Sequence, residues 1–154
     1  MPSDNSILIE RFLTHSNNMT KERRKFLPLT SENICEIYNL LHSEGLISFP
    51  ATPESVNKIQ ALVANINGSN FGVENYVTDK EKVVAYLYFL IKNHPFVDGN
   101  KRTAVLVFLV LSRMNDLETH LNGYDLDALA VFLESVKNND HHYVIKVVSK
   151  TIFI

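Results

Sequence analysis

Two apolar segments separated by a short polar loop constrain the fold of this chain more than any other feature. Residues 83–91 read Val-Val-Ala-Tyr-Leu-Tyr-Phe-Leu-Ile, and residues 104–111 read Ala-Val-Leu-Val-Phe-Leu-Val-Leu. Because neither segment has a charged face, each must be surrounded by other parts of the protein, as a helix in the middle of a bundle is. Both are far shorter than the ~20 apolar residues that a membrane-spanning helix needs. We therefore expect a globular core built around these two segments.

Capping signals and apolar spacing predict helices through most of the chain. Thr52, Pro53 and Glu54 combine a capping side chain, a proline at the first helical position and an acid in the first turn. Thr78 and Glu81 form a second start signal, the capping box. The predicted helices cover residues 7–14, a stretch from Thr30 and Ser31 to Gly45, a stretch from Pro53 to Gly68, and residues 79–93, 101–115, 126–137 (capped by Asp125) and 140–152.

The valine-rich part of residues 101–115 leaves two interpretations open. Taken alone, residues 104–111 also suit a buried strand, since a continuous apolar run does not distinguish the two structures. Length favours the helix, because residues 101–115 contain neither Gly nor Pro and are long for a strand.

Residues 67–78 interrupt the helical pattern. Two glycines and three asparagines punctuate this stretch, and Phe71, Val73 and Val77 suit short extended pieces. A loop or a small hairpin is expected here. The chain is thus predicted to be one all-α domain over residues 1–154, with a single small β excursion.

Charge and cysteine content exclude several classes of function. The net charge is −2 over 154 residues, so no global electrostatic attraction to nucleic acid or to an anionic membrane is expected. The basic cluster at residues 21–25 contains Glu22 and is interpreted as a solvated helix end or linker. A single cysteine, Cys35, excludes an internal disulfide, and no secretory signal is visible. We expect a cytoplasmic protein.

The polar loop between the apolar segments carries the chemistry of this chain. A histidine, a carboxylate, an asparagine and two cations fall between positions 94 and 102. If the chain is helical from Lys101 onward, the first backbone N–H groups lack intrahelical partners and form an anion site. Lys101 and Arg102 would add charge-assisted hydrogen bonds of ~1.5–3 kcal/mol each, so these two side chains should dominate the affinity for phosphate.

The other loop residues suggest separate tasks. Asp98 is a single carboxylate, which suits Mg²⁺ because that ion borrows substrate phosphates as ligands. His94 can remove a proton from an attacking hydroxyl. Asn100 can donate to a phosphate oxygen or orient a neighbouring group. Phe96 is expected to insert into the core and hold the loop in place.

Each of these residues taken singly has a more ordinary explanation, and their conjunction is what favours a phosphate site. A lone Asp-Gly is usually a turn, and a Lys-Arg pair is usually solvated surface. A Walker A loop is excluded, because that motif needs glycine directly before the lysine and Asn100 precedes Lys101.

The loop strongly resembles the signature of the Fic/Doc family, His-x-Phe-x-Asp/Glu-Gly-Asn-Gly/Lys-Arg. The residues that match it position for position are His94, Phe96, Asp98, Gly99, Asn100, Lys101 and Arg102. The resemblance covers about residues 30–137, and the tail is also similar to the Fic/Doc domain of RhuM-type virulence proteins.

The resemblance implies a fold and a set of roles. The fold would be a Fic-like helical bundle with a hairpin flap before the catalytic loop, and the flap would clamp the target segment by strand pairing. Residues 67–78, with Phe71, Gly72 and Val73 as the docking residues, stand where that flap is expected; a disordered connector is the alternative. His94 would be the catalytic base, Asp98 the Mg²⁺ ligand, and Gly99, Asn100, Lys101 and Arg102 the contacts to the phosphates of ATP.

Two positions bear on the reaction that the resemblance implies. Members that transfer AMP usually carry glycine in place of Lys101 and a second arginine in place of Val105. The Lys form without that arginine is similar to the Doc branch, which implies phosphate transfer from ATP to a Ser, Thr or Tyr hydroxyl of a target protein, as a toxin would perform. AMP transfer and a catalytically silent binding module are the alternatives.

The inhibitory helix of the family is not found in this sequence. Many members of the family carry an inhibitory helix with the pattern Ser/Thr-x-x-x-Glu-Gly/Asn. The three glutamates that precede Gly or Asn, Glu32, Glu44 and Glu74, lack Ser or Thr four positions earlier. Any restraint is therefore expected from a separate antitoxin-like protein or from conformation.

Overall fold

A computed structural model describes residues 4–16, 25–137 and 140–154 of the chain. Within these ranges the protein forms seven α-helices and one two-stranded hairpin. The predicted basic cluster at residues 21–25 lies outside the described residues except for Lys25. The elements in chain order are α1 (Asp4–Ser16), α2 (Ser31–Ser43), α3 (Pro53–Asn67), β1 (Ser69–Asn70), β2 (Val73–Glu74), α4 (Asp79–Lys92), α5 (Asn100–Met114), α6 (Gly123–Ser135) and α7 (His141–Thr151).

Helices α4 and α5 form the centre of the bundle. They pack against each other, α4 also contacts α3, α6 and α7, and α5 also contacts α1, α2 and α6. Residues 82–91 of α4 are all buried, as are residues 103–108 of α5. The prediction of an all-α fold with two central apolar segments is confirmed, and the strand interpretation of residues 104–111 is wrong. No helix in the described part of the chain has the length and apolar character needed to cross a membrane.

The predicted start signals act as helix caps, with one displacement. The Thr52 hydroxyl accepts from the Ser55 N–H at 3.1 Å, and the Thr78 hydroxyl accepts from the Glu81 N–H at 3.1 Å. Helix α6 begins earlier than predicted, because Asn122 is its cap in place of Asp125. The Asn122 side chain accepts from the Asp125 N–H at 2.9 Å. The Asp125 carboxylate accepts in return from the Asn122 N–H at 3.1 Å.

Residues 67–78 contain the small hairpin that the sequence favoured, so the disordered connector is wrong. Strands β1 and β2 pair antiparallel, and the two turn residues Phe71 and Gly72 both have positive φ, 52° and 78°. Lys82 of α4 fastens the hairpin, since its ammonium donates to the Tyr76 carbonyl and to Glu74 at 3.2 Å. The hairpin is therefore fixed to the first turn of α4.

Asn115, at the end of α5, joins the central helix to the segment that precedes α2. Its amide accepts from the Leu27 N–H at 2.9 Å and donates to the Leu27 carbonyl at 3.0 Å and to the Leu111 carbonyl at 2.9 Å. The residue is 2% exposed, so these bonds lie out of water. They fix where α2 begins relative to α5.

Replacing Asn115 by alanine should therefore lower the free energy of unfolding by about 2–4 kcal/mol, because the Leu27 N–H and C=O groups would be left without this partner. Urea denaturation followed by far-UV circular dichroism measures the change. Asn57→Ala, at an exposed position of α3, is the matched control and should change stability by less than about 0.5 kcal/mol. Equal effects of the two variants would contradict this role for Asn115.

Candidate active site

The polar loop at residues 93–99 joins α4 to α5 and forms one wall of a cleft. This cleft has a volume of about 630 Å³. The residues that line it include all six that the sequence predicted as base, metal ligand and phosphate contacts: His94, Asp98, Gly99, Asn100, Lys101 and Arg102. The structure therefore brings the predicted base, the predicted metal ligand and the predicted phosphate contacts to one volume.

Phe96 holds this loop against the body of the protein. The ring is 4% exposed and stacks on Tyr38 of α2, with ring centroids 3.8 Å apart and planes 12° from parallel. The Tyr38 hydroxyl in turn donates to the Phe49 carbonyl at 2.6 Å. The loop is thus attached to α2 and to the segment that follows α2.

Asn100 closes the loop with its side chain. Its amide oxygen accepts from the Phe96 N–H at 2.9 Å, and its amide nitrogen donates to the Phe96 carbonyl at 2.9 Å. Of the two tasks expected for Asn100, the structure displays the orientation of a neighbouring group. Its side chain is engaged with the loop, so its contribution to an anion would come from the backbone N–H.

Gly99 occupies a position that other residues fit poorly. It precedes α5 with a φ of 75°, a left-handed conformation that costs little only for glycine. A β-carbon at this position would also lie 2.7 Å from the Ile47 side chain. Because glycine has no side chain to cap the helix, the first N–H groups of α5 keep no side-chain partner at this position. They are available to an anion in the cleft.

Lys101 is paired across the cleft with Glu134 of α6. Its ammonium donates to the Glu134 carboxylate at 2.9 Å. This hydrogen bond lowers the pKa of Glu134, and the charges of Lys101, His94 and Lys92 act in the same direction against an opposing effect of desolvation. No sequence signal pointed to Glu134, since it lies 33 positions from Lys101 and only the packing of α6 brings it to the site.

His94 and Asp98 are exposed residues of the loop that line the cleft. His94 has a φ of 43°, which is uncommon for a residue with a side chain. Such backbone strain persists where the surrounding structure imposes it, and it clusters at functional sites. Burial first, and then the negative charge of Asp98, raise the pKa of Tyr38.

The hairpin that was expected to be the docking flap lies elsewhere. Phe71, Gly72 and Val73 do not line the cleft, and they precede the first turn of α4, whereas the polar loop follows its last turn. A helix of this length separates its ends by about 20 Å. The structure does not bring these three residues together with His94.

A different segment lies beside the polar loop. Residues 44–52 connect α2 to α3, and Ile47 of this segment lies against Gly99 of the loop. Phe49 is linked to the loop indirectly, since it accepts from Tyr38, whose ring stacks on Phe96. Leu46 and Phe49 are 36% and 52% exposed. Nothing in the local sequence distinguished this segment from an ordinary helix connection, so its position was missed.

Comparisons with known proteins show what this chain is similar to. A family model described as Fic/DOC family matches residues 9–112. A protein named Toxin Doc, from Mycolicibacterium smegmatis, is 30% identical over 82 residues, which cover 53% of this chain. The match spans 62% of that relative's own length. No solved structure matches the chain.

The position of Gly99 against Ile47 leads to a test of the site's architecture. Gly99→Ala should destabilise the protein by about 1–3 kcal/mol more than Gly45→Ala does, because it adds a steric overlap to the backbone strain. Gly45 has the same φ of 75°, but a β-carbon added there would meet no atom within 4 Å, which makes it a matched control. Urea denaturation of both variants gives the difference, and equal losses would show that Ile47 moves aside freely.

Proposed function

The chain belongs to the Fic/DOC family, and we propose that it transfers a phosphate from ATP to a hydroxyl group of a target protein. The observation that supports this proposal most directly is the cleft itself. It combines an uncapped helix N-terminus, two cationic side chains, one histidine and three carboxylates, of which Asp98 lies on the same loop as His94. These are the groups needed to hold an anion next to a proton acceptor.

The phosphates of ATP would bind at the first turn of α5. The free N–H groups of that turn and the helix dipole favour negative charge, and Lys101 and Arg102 neutralise it. Lys101 must leave Glu134 to do so. Both side chains of that pair are partly exposed, 43% and 37%, and ion pairs in such surroundings are weak. Triphosphate can therefore displace Glu134.

His94 would act as the base. The target hydroxyl oxygen attacks the terminal phosphorus, the bond from that phosphorus to the bridging oxygen breaks, and ADP leaves. The hydroxyl proton passes to the imidazole of His94, a role usually worth ~10²–10⁴ in rate. Its exposed position in the cleft lets an incoming hydroxyl approach the ring.

Asp98 is the residue that would hold Mg²⁺. Among the described residues no group of three or more acidic, histidine or cysteine side chains is arranged as a metal site. A single carboxylate that shares the ion with substrate phosphates is a usual arrangement for Mg²⁺. When bound, the ion would neutralise charge on the phosphates of the donor.

Phosphate transfer is favoured over AMP transfer because of Val105. This residue lines the cleft, 4% exposed, where AMP-transferring members of the family carry a second arginine. One turn after Arg102, the cleft therefore lacks the cation that would hold the outer phosphates in the orientation needed for AMP transfer.

The target protein is proposed to dock on residues 44–52 in place of the hairpin. This segment contacts the loop that carries His94 and presents Leu46 and Phe49 to solvent. Because the matched relative is called a toxin, we extend the proposal to a toxin-like activity held in check by a separate antitoxin-like protein.

Incubation with ATP labelled at the γ or the α phosphate, Mg²⁺ and a cell lysate tests the reaction. We expect γ-label alone on a target protein. His94→Ala should abolish the transfer, whereas His120→Ala, at an exposed histidine that does not line the cleft, should leave it intact. Label from the α position would establish AMP transfer instead, and transfer of neither label would support a silent binding module.

A binding experiment distinguishes the proposed role of His94 from that of Lys101. Lys101→Ala should weaken ATP binding about tenfold, because it removes a charge-assisted hydrogen bond of about 1.5–3 kcal/mol. His94→Ala should change ATP binding by less than about twofold, since the proposed base contacts the acceptor. Isothermal titration calorimetry measures both, and equal losses would mean that the roles are misassigned.

A further inference from the structure

We propose that helix α6 forms a nucleoside subsite in this cleft, in which Asp127 accepts hydrogen bonds from the ribose hydroxyls of the bound nucleotide. The inference rests on the proposed use of ATP and adds the orientation of the nucleotide. Its phosphates would lie against α5, and its sugar would lie against α6.

The two walls of the cleft differ in chemistry. The α5 wall supplies Lys101, Arg102 and free backbone N–H groups. The α6 wall supplies Asp127, Ala130, Val131 and Glu134. The spacing of these four residues, i, i+3, i+4 and i+7, places them on one face of the helix. The sequence of α6 contains no lysine, arginine or histidine, so this wall offers acceptors and apolar surface without a cation.

The α6 wall is therefore unsuited to phosphate. A carboxylate close to a phosphate group raises the free energy of binding, because like charges repel. Glu134 pairs with Lys101 at 2.9 Å, and once the triphosphate draws Lys101 away, its carboxylate likewise repels a phosphate group. Asp127 lies two helical turns away from Glu134 on the same face, about 10 Å along the axis. A ligand group at Asp127 must be uncharged or a hydrogen-bond donor.

A ribose meets that requirement. Its hydroxyls donate hydrogen bonds, and an acidic side chain that accepts from a ribose hydroxyl is a recurring solution in nucleotide sites. The apolar surface beside Asp127 is that of Val131, which is 57% exposed and would gain burial against a ligand. A polar anchor next to an apolar side chain is typical of small-molecule sites.

The size of the cleft agrees with this assignment. Small-molecule sites usually enclose ~300–1,000 Å³, and this cleft encloses about 630 Å³. It extends beyond the α5 turn to α6, so there is room for more than the phosphate groups. Lys101 and Glu134 lie where the α5 wall meets the α6 wall, so the phosphate end of the cleft changes to the nucleoside end at these two residues.

The test compares three probes: ATP, 2′,3′-dideoxy-ATP and inorganic tripolyphosphate, each titrated calorimetrically into the full chain with Mg²⁺. In the wild type, loss of the ribose hydroxyls should weaken binding at least fivefold. Asp127→Ala should weaken ATP binding at least fivefold and bind ATP and the dideoxy analogue alike. Tripolyphosphate should bind this variant at least as tightly as the wild type, because a repelling charge is gone.

Two further variants complete the design. Glu36→Ala removes an acid from α2 that does not line the cleft and should bind all probes as the wild type does. Val131→Ser should weaken ATP binding and leave tripolyphosphate binding unchanged, because it removes only apolar surface. Glu36 and Val131 are both exposed residues of helices, so neither variant should change the stability of the fold appreciably.

The outcomes distinguish a failure of the nucleoside subsite from a failure of the proposed function. Equal binding of ATP and dideoxy-ATP by the wild type, or an equal effect of Asp127→Ala on ATP and on tripolyphosphate, would overturn the subsite while the phosphate site stands. Absence of binding of both ATP and tripolyphosphate to the wild type would overturn the proposed function and the subsite with it.

Discussion

The stacking of Phe96 on Tyr38 attaches the polar loop to the body of the protein, and the remainder of the candidate site is built on that contact. A polar loop with a histidine, a carboxylate and two cations has no reason of its own to adopt one conformation. Burying one aromatic ring from its middle removes apolar surface from water and adds an aromatic contact worth about 0.5–1.5 kcal/mol. Asn100 then closes the loop around the buried ring through both bonds to Phe96. The strained backbone at His94 is tolerated because these contacts hold the residues that follow it.

Helix α6 supplies the acidic wall of the cleft, opposite the cationic wall of α5. Lys92, at the end of α4, donates to the Val136 carbonyl and to the Glu134 carbonyl at 3.4 Å, and so fixes the last turn of α6. That turn carries the carboxylate that pairs with Lys101. The central helix α4 therefore positions the loop directly and positions the opposing acid through Lys92. One wall of the cleft is cationic and the other is acidic, and this difference is the basis of the proposed orientation of the nucleotide.

Family resemblance and tertiary structure agree on the loop and differ on its surroundings. The resemblance implied a hairpin beside the active site, and a hairpin exists, but Lys82 fastens it to the opposite end of α4 from His94. The segment at residues 44–52 has the position that the hairpin was expected to have. Its contact with Gly99 through Ile47 also explains why glycine suits this place in the loop, for a reason additional to its backbone conformation.

The helices, their order and the cluster of reactive side chains could all be predicted from the amino-acid sequence. They follow from local rules: Thr52 and Thr78 cap the turns that begin at them, and residues 83–91 have no face that tolerates water. The pairing of Glu134 with Lys101, the position of Asp127 in the cleft and the contact of Ile47 with Gly99 arise only when the chain is folded. The same holds for the remote position of Phe71. Each depends on how α2, α4 and α6 pack, and packing joins residues that are distant along the chain. The spacing of apolar residues shows which face of a helix is buried, but it does not show which neighbour covers that face.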